Sequence, residues 1–434
     1  MQGGRNRFLV QLKMLLCLAL CVMLTSCATV PDDGITRVTL WHGVNPPPNR
    51  DVLQTLVDQF NQAHADIEVE ALYIGQGDQQ IPKILAAVVG NAPPDLLWYA
   101  PMITGQLVEL GAIRSLDDWY TEERLAMIDP ALESAIAFED HYWSVPFGVN
   151  NVGVFYRPSL FEAAGITERP QTWDDFRQVA QQLTDPTAEP PRQGLLLPLG
   201  KGEWNVFMWL PFCWSADGEL QTGGKLNLAS DGAIAALDFW QTLVSDGSAK
   251  LSQPERGYEL SDFLAGKVAM QLTGPWTLQE LQSTGVDFAV MPIPSANHPA
   301  TAIGGENLFV FQTTPEQEAA ALELADFLLS EPAQTQWAIG TGYLPVNLRS
   351  RQTQDYQAFV NEQPSLKVFL KQAEYGRSRP LFPSYNRLSD QLGRAIEAVL
   401  LQKRSPAEAL TEAQRRLEQM LGASQVVHVE PLGK

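Results

Sequence analysis

Trp41, His42, Trp98 and Tyr99 stand at the ends of two short apolar runs, RVTLWH and DLLWY, and two adjacent amides, Asn150 and Asn151, interrupt a third, PFGVNNVGVFY. Flat aromatic faces pack on the C–H surfaces of a sugar ring, and amides, carboxylates or arginines take up its hydroxyls, so this set suits non-covalent capture of a polyhydroxylated ligand. Bond-making chemistry has no comparable pattern. His42, His64, His141, His298 and His428 are scattered without metal-ligand spacing, which argues against a zinc centre or a catalytic triad. TGGKL, Thr222 to Leu226, lacks the first glycine of a phosphate loop and has leucine where Ser or Thr would hold magnesium, so it reads as a turn. Glycoside hydrolysis, the alternative from another class, needs two carboxylates at a set separation, and no pair is marked among the 50 acidic residues. No metal or cofactor is expected.

The elements that must position these groups follow from periodicity. RVTLWH reads as a first strand; Val52, Leu53, Leu56, Val57 and Phe60 then recur at helical spacing between Asp51 and His64. Ile67, Val69, Ala71 and Tyr73 alternate with Glu68, Glu70 and Leu72 as in a half-buried strand. A helix over Ile81 to Val89 ends at Gly90, and DLLWY makes a third strand. Strand, helix, strand, helix, strand is an α/β start with a largely parallel sheet, in which ligands sit beyond the carboxyl ends of the strands. Helical patterns return at Pro158 to Ala164, Trp173 to Leu183, Asp231 to Val244, Pro315 to Leu329 and Pro406 to Leu421.

With 434 residues and 45% hydrophobic content the chain can bury a large core, divided between two globular units. Arg5, Arg7 and Lys13 precede an uncharged run, Met14 to Leu24, that is too short for a spanning helix and describes an export signal. Leu-Thr-Ser-Cys at its end resembles a bacterial lipobox, which implies cleavage after residue 26 and lipidation of Cys27. Cleavage removes three cations and no acids, so the formal charge falls from −20 to −23, an argument against nucleic acid or an anionic surface as partner. Cys17 and Cys21 leave with the signal, so Cys27 and Cys213 cannot build a disulfide framework.

Over Val38 to Leu421 a series of motifs occurs in order: LWHG, GNAPPDLLWYA, VPFGVNNVGVFY, TWDDF, FLAGKVAMQLTGPW, IGGENLFVF, TGYLPVN and RPLFPSYNRLSDQL. Together they resemble the extracellular solute-binding proteins of ABC importers, a family with maltose-, trehalose-, glucosylglycerol- and glycerol-3-phosphate-binding members. The resemblance implies an α/β, two-lobe periplasmic-binding-protein fold with hinge-crossing strands and an interlobe ligand cleft. Lobe one would take 35–149 and 303–329, lobe two 150–302 and 330–422, after a tether at 27–34 and before a tail at 423–434. A monomeric, lipid-anchored, exported protein would then deliver a mono- or disaccharide or polyol glycoside to a membrane permease, with the ATPase on another chain.

The same resemblance implies the ligand-binding residues. Trp276 in TGPW corresponds to a loop that reaches the cleft, Trp214 in WLPFCWSADGEL to an aromatic beside the ligand, and Tyr343 to a ligand-contacting tyrosine; Trp209 reads as core. Glu203 and Trp204 in KGEWNVF lie just upstream. Gly304 and Gly305 let backbone amides approach, with Glu306 or Asn307 following into the cleft. Arg379 falls where the glycerol-phosphate binder contacts phosphate, although sugar binders also carry Arg-Pro there. Asp78 in GQGDQQ and Ala100 replace that binder's tyrosine and glutamate, which favours a neutral sugar over glycerol 3-phosphate. Trp41, Tyr99 and Asn150 complete the candidate set, with Asn150 facing ligand and Asn151 bonding hinge backbone because adjacent strand residues face opposite ways.

Overall fold

Three parallel strands open the structure: β1 (Thr36–His42), β2 (Ile67–Tyr73) and β3 (Leu96–Tyr99), connected by α1 (Pro47–Ala63) between β1 and β2 and by α2 (Ile81–Val89) between β2 and β3. α1 begins four residues before the periodic stretch because Pro47 and Pro48 occupy its first turn, where a missing N–H costs nothing. It buries Leu53, Leu56, Val57 and Phe60, the stripe expected from the spacing. The computed structural model describes residues 33–422, apart from 201, 255–259, 382, 383 and the side chain of Asp78. The signal, Cys27 and the tail expected at 423–434 lie outside the described residues.

The chain leaves this sheet through β4 (Val145–Asn151) and, after Val152, enters a second one as β5 (Gly153–Tyr156). The second sheet is built with α3 (Trp173–Leu183), β6 (Gln193–Leu197), α4 (Glu203–Ser215), α5 (Asp231–Ser245), β7 (Ala249–Leu251), β8 (Val268–Thr273) and β9 (Ala289–Met291), in the strand order β7-β6-β8-β5-β9. Return to the first sheet is by β10 (Thr301–Val310), which pairs antiparallel with both β3 and β4. Both sheets are therefore mixed: β10 runs against β3 and β4 in the first, and β5 runs against β8 and β9 in the second. Local caps fix several helix starts: Thr172 and Asp175 form a reciprocal capping box at α3.

α6 (Pro315–Leu329) packs beside β1, and α7 (Glu331–Thr341) packs on α1. Residues 331–346 pack on the first lobe, whereas the whole of 330–422 was expected in the second. Trp337 and Ala338 on α7 are fully buried in the first core, Gln334 donates to the Phe147 carbonyl at 2.9 Å, and Leu344 bridges to Val149. These contacts hold the chain in the first lobe beyond residue 330. α8 (Pro364–Ala373) then runs along β9 and β4, and β11 (Gly376–Ser378) adds an edge to the first sheet. Only afterwards do α9 (Tyr385–Leu400) and α10 (Pro406–Leu421) join α4 and α5 over the second sheet. Their cluster also buries Cys213, whose thiol is pushed far up by desolvation and is inert.

Candidate functional site

Where the two sheets meet, β4 and β10 lie side by side at the floor of a cleft of about 1050 Å³. Tyr99 reaches it from the carboxyl end of β3, Asn150 and Glu306 from the floor strands, Glu203 from the first turn of α4, and Trp276 from the turn after β8. Gly305, Tyr343 and Arg379 line it too. Eight of the eleven sequence-predicted ligand residues are thus brought together, and the η-turn at Gly77–Gln79 carrying Asp78 borders the same space.

Two predicted residues are elsewhere. Trp41 points to the other face of its strand from His42 and packs among Ile84, Leu97 and Ile103, because successive side chains of β1 alternate. Trp214 is a correction of larger scale. α4 begins at the cleft with Glu203 and runs away from it, so a residue eleven positions on is about 16 Å deeper at 1.5 Å rise per residue. Trp214 is 2% exposed in the second core, with the Arg377 guanidinium 4.8 Å from its ring centroid. The cleft aromatics of this helix are Phe207 and Trp204, and the Trp204 indole meets Trp276 edge-on at 6.1 Å. Trp209 is core, as read. Sequence reasoning passed over Arg50, on the first turns of α1, which stacks 4.4 Å from the Tyr73 ring; both line the cleft. The turn residues of NPPPNR hid it, since no strand end marks that position.

The charged groups are arranged in two sets. Arg379 pairs with Glu203 and lies 4.4 Å from the Phe207 ring, while Ser389 donates to the second Glu203 oxygen at 2.6 Å. The second set is Glu306, Tyr343 and Asn150. A shift of register between Glu306 and Asn307 interrupts the β4–β10 ladder, and such bulges re-aim side chains. Gly305 makes this possible: its φ is +134°, and a Cβ there would come within 2.0 Å of the Gly148 carbonyl oxygen. Asn307 is turned away, donating to the Ala135 carbonyl and Ser144. The Tyr343 hydroxyl neighbours Glu306 and Asn150, and Glu306 Oε2 and Asn150 Oδ1 are buried without hydrogen-bond partners. Burial pushes the Glu306 carboxyl up to about 7, against the Tyr343 hydrogen bond and the Arg379 charge, which favour ionisation. His42, at the end of β1, is held down to about 4 by burial and by Arg50, so it is neutral at physiological pH.

The sequence matches the bacterial extracellular solute-binding protein family over residues 55–363. The chain belongs to that family. Among relatives of this solute-binding protein, the maltotriose-binding protein of Pyrococcus abyssi is 23% identical over 72% of this chain and 67% of its own. The sn-glycerol-3-phosphate-binding periplasmic protein of Yersinia enterocolitica is 22% identical over 93% of this chain and 96% of its own. An ABC transporter solute-binding protein from Thermotoga lettingae, solved with α-D-tagatose, superposes with a TM-score of 0.81 at 21% identity, over 89% of this chain and 100% of the other. The two-lobe α/β fold is shared with it. Members of the family are binding proteins, and the family is extracellular. Among the described residues of this solute-binding protein, no helix is long and apolar enough to cross a membrane, and no group of three or more His, Cys, Asp or Glu side chains could hold a metal.

One positioning residue is testable without a ligand. A Cβ on Gly274 would lie 2.0 Å from Cζ3 and 2.3 Å from Cη2 of the Trp276 indole, which is folded back over it. Backbone φ at Gly274 is −128°, open to any residue, so the glycine is there for the ring. Gly274→Ala is expected to swing Trp276 off the cleft wall, changing tryptophan emission and near-UV circular dichroism while costing about 1 kcal/mol or less of stability. Unchanged emission would show that the indole lies against residue 274 by accident.

Proposed function

We propose that this protein is the substrate-binding component of an ABC importer, taking a mono- or disaccharide or a polyol glycoside of trehalose, maltose, sucrose or glucosylglycerol type into the interlobe cleft. It would pass that ligand to permease subunits in the membrane, tethered by lipid on Cys27, acting as a monomer and without turnover. The observation that carries the reading is the cleft lining. Trp204, Trp276 and Tyr99 offer ring faces, and Asn150, Glu306, Gln76 and Gln79 offer hydroxyl partners around one cavity of sugar-binding size.

Charge argues for a neutral ligand over glycerol 3-phosphate. Among the described lining residues two arginines, Arg50 and Arg379, stand against three glutamates, Glu203, Glu280 and Glu397, besides Glu306 with its raised titration, and Arg379 is already engaged by Glu203. A phosphate would meet a field of its own sign. Ligand touching both lobes would stabilise the closed arrangement, and only such differential contact can shift the population.

Thermal denaturation of the mature protein with trehalose, maltose, sucrose, glucosylglycerol and glycerol 3-phosphate tests this. One or a few neutral sugars are expected to raise the melting temperature by several degrees, since a hundredfold excess over Kd adds about 2.7 kcal/mol. No shift across the panel, or a shift with glycerol 3-phosphate alone, would remove the neutral-sugar reading. Release of new reducing ends would favour hydrolysis.

A further inference from the structure

We propose that Glu306 selects the ligand of this cleft by accepting a hydrogen bond from a ligand hydroxyl, and that capture expels the carboxyl proton to solvent; the proposal rests on the sugar-binding reading above. Two geometric observations support it. The bulge after Glu306 turns its side chain to the cleft side of β10. One carboxyl oxygen, Oε2, is shielded from solvent with no partner among the described residues, at a point where the cavity begins.

An ionised carboxylate in that position needs a donor, and empty it has none on one side. The unliganded group therefore holds its proton at mildly acidic pH and loses it through neutrality, in agreement with its raised titration near 7. A ligand hydroxyl delivered to Oε2 supplies the missing hydrogen bond to the charged form. The balance is simple: the carboxylic acid loses H⁺ to the buffer, and the carboxylate accepts the ligand O–H, which stays covalently intact. No bond of the sugar is broken.

The surrounding groups leave this titration to Glu306. Tyr343 is buried and titrates far above neutrality. Arg379 approaches from the segment after β11 and is paired with Glu203 from α4. On β4 the facing residues are Gly148, Val149 and Asn150, which do not titrate. His42 titrates near 4, and no described residue lining the cleft is a histidine. Selectivity follows from the same contact: a sugar lacking the matching hydroxyl leaves a buried carboxylate unpaired, and an anionic substituent there is repelled.

Titration calorimetry of wild type and Glu306→Gln with each of the five panel compounds, at pH 5.5, 6.5, 7.5 and 8.5 in two buffers of different ionisation enthalpy, tests the proposal. For the sugar that binds, wild-type affinity is expected to rise up to tenfold per pH unit below 7 and to level above it, with nearly one proton released at pH 5.5 and almost none at 8.5. Glu306→Gln should bind more weakly, without that slope and without proton release. The carboxyl carbon resonance lost in Glu306→Gln should titrate near 7 in the unliganded wild type. Binding with no proton release, or an identical pH profile in the variant, overturns the proposal and leaves the sugar reading standing. Absence of binding by every panel sugar at all four pH values defeats the sugar reading, and the proposal with it.

Discussion

Replacing Arg379 with alanine is expected to destabilise the protein by about 3–5 kcal/mol, the largest single-site effect at the cleft. The guanidinium side chain is 6% exposed and its partner Glu203 18%, so both charges have given up most of their water. Glu203 is also held by Ser389 at 2.6 Å and by the Tyr385 hydroxyl at 3.3 Å, and Arg379 rests on the Phe207 ring. Removing the cation strands a carboxylate that α4 and α9 hold in place. Removing both charges does not, so the double variant Arg379→Met with Glu203→Met should recover most of the loss. Urea unfolding at pH 7.5 measures this: the midpoint should fall sharply for Arg379→Ala with an unchanged slope, and return toward wild type in the double variant. A loss below about 1 kcal/mol for Arg379→Ala would mean that the pair is wet and weak, as exposed ion pairs are. In that event Arg379 would again be open to a ligand phosphate.

That pair also marks where sequence reasoning reached its limit. Glu203 and Arg379 were both legible as polar residues bound for the cleft, and both are there. Their partnership was not legible, since they are 176 positions apart and come from different segments. Local signals carried the elements well. Thr314 before Pro315 and Ser405 before Pro406 cap α6 and α10, and the helices begin where those residues place them. α4 had no such signal. It is buried on every side and carries Pro211 within it, so no polar face gives a period to read. Without that helix, an aromatic-rich stretch offers Trp204, Trp209 and Trp214 with nothing to say which end meets the cleft. α7 was missed for a similar reason: its stay in the first lobe depends on Trp337 and Gln334 finding partners far away in sequence. Arg50 and Tyr73 meet across a parallel strand and a helix, a contact made only by tertiary structure.

The two asparagines at the crossing are expected to separate cleanly into one ligand residue and one structural residue. Asn151 donates to the Phe369 carbonyl at 2.9 Å and accepts from Gln372 at 3.0 Å. Gln372 also donates to the Val152 carbonyl at 3.0 Å and accepts from the Ile293 amide at 3.3 Å. One buried network thus ties the first crossing, the chain before the second and α8 into a single joint. Asn151→Ala leaves one N–H of Gln372 without its acceptor in a site with 0% exposure and cuts the tie to the Phe369 carbonyl, a loss of about 1–3 kcal/mol. Asn150, next along the strand, points the opposite way into the cleft with an unpartnered Oδ1. Asn150→Ala gives up its contact with the Tyr343 hydroxyl, about 1 kcal/mol of stability or less, but removes a ligand partner from the cleft floor. Sugar affinity should therefore drop at least tenfold in Asn150→Ala, measured by calorimetry at pH 7.5, with the urea midpoint almost unmoved. Asn151→Ala should show the converse, near-native affinity in the fraction that is folded and a lowered midpoint. Loss of affinity in Asn151→Ala alone would instead make the joint, and through it the closing motion, the element on which capture depends.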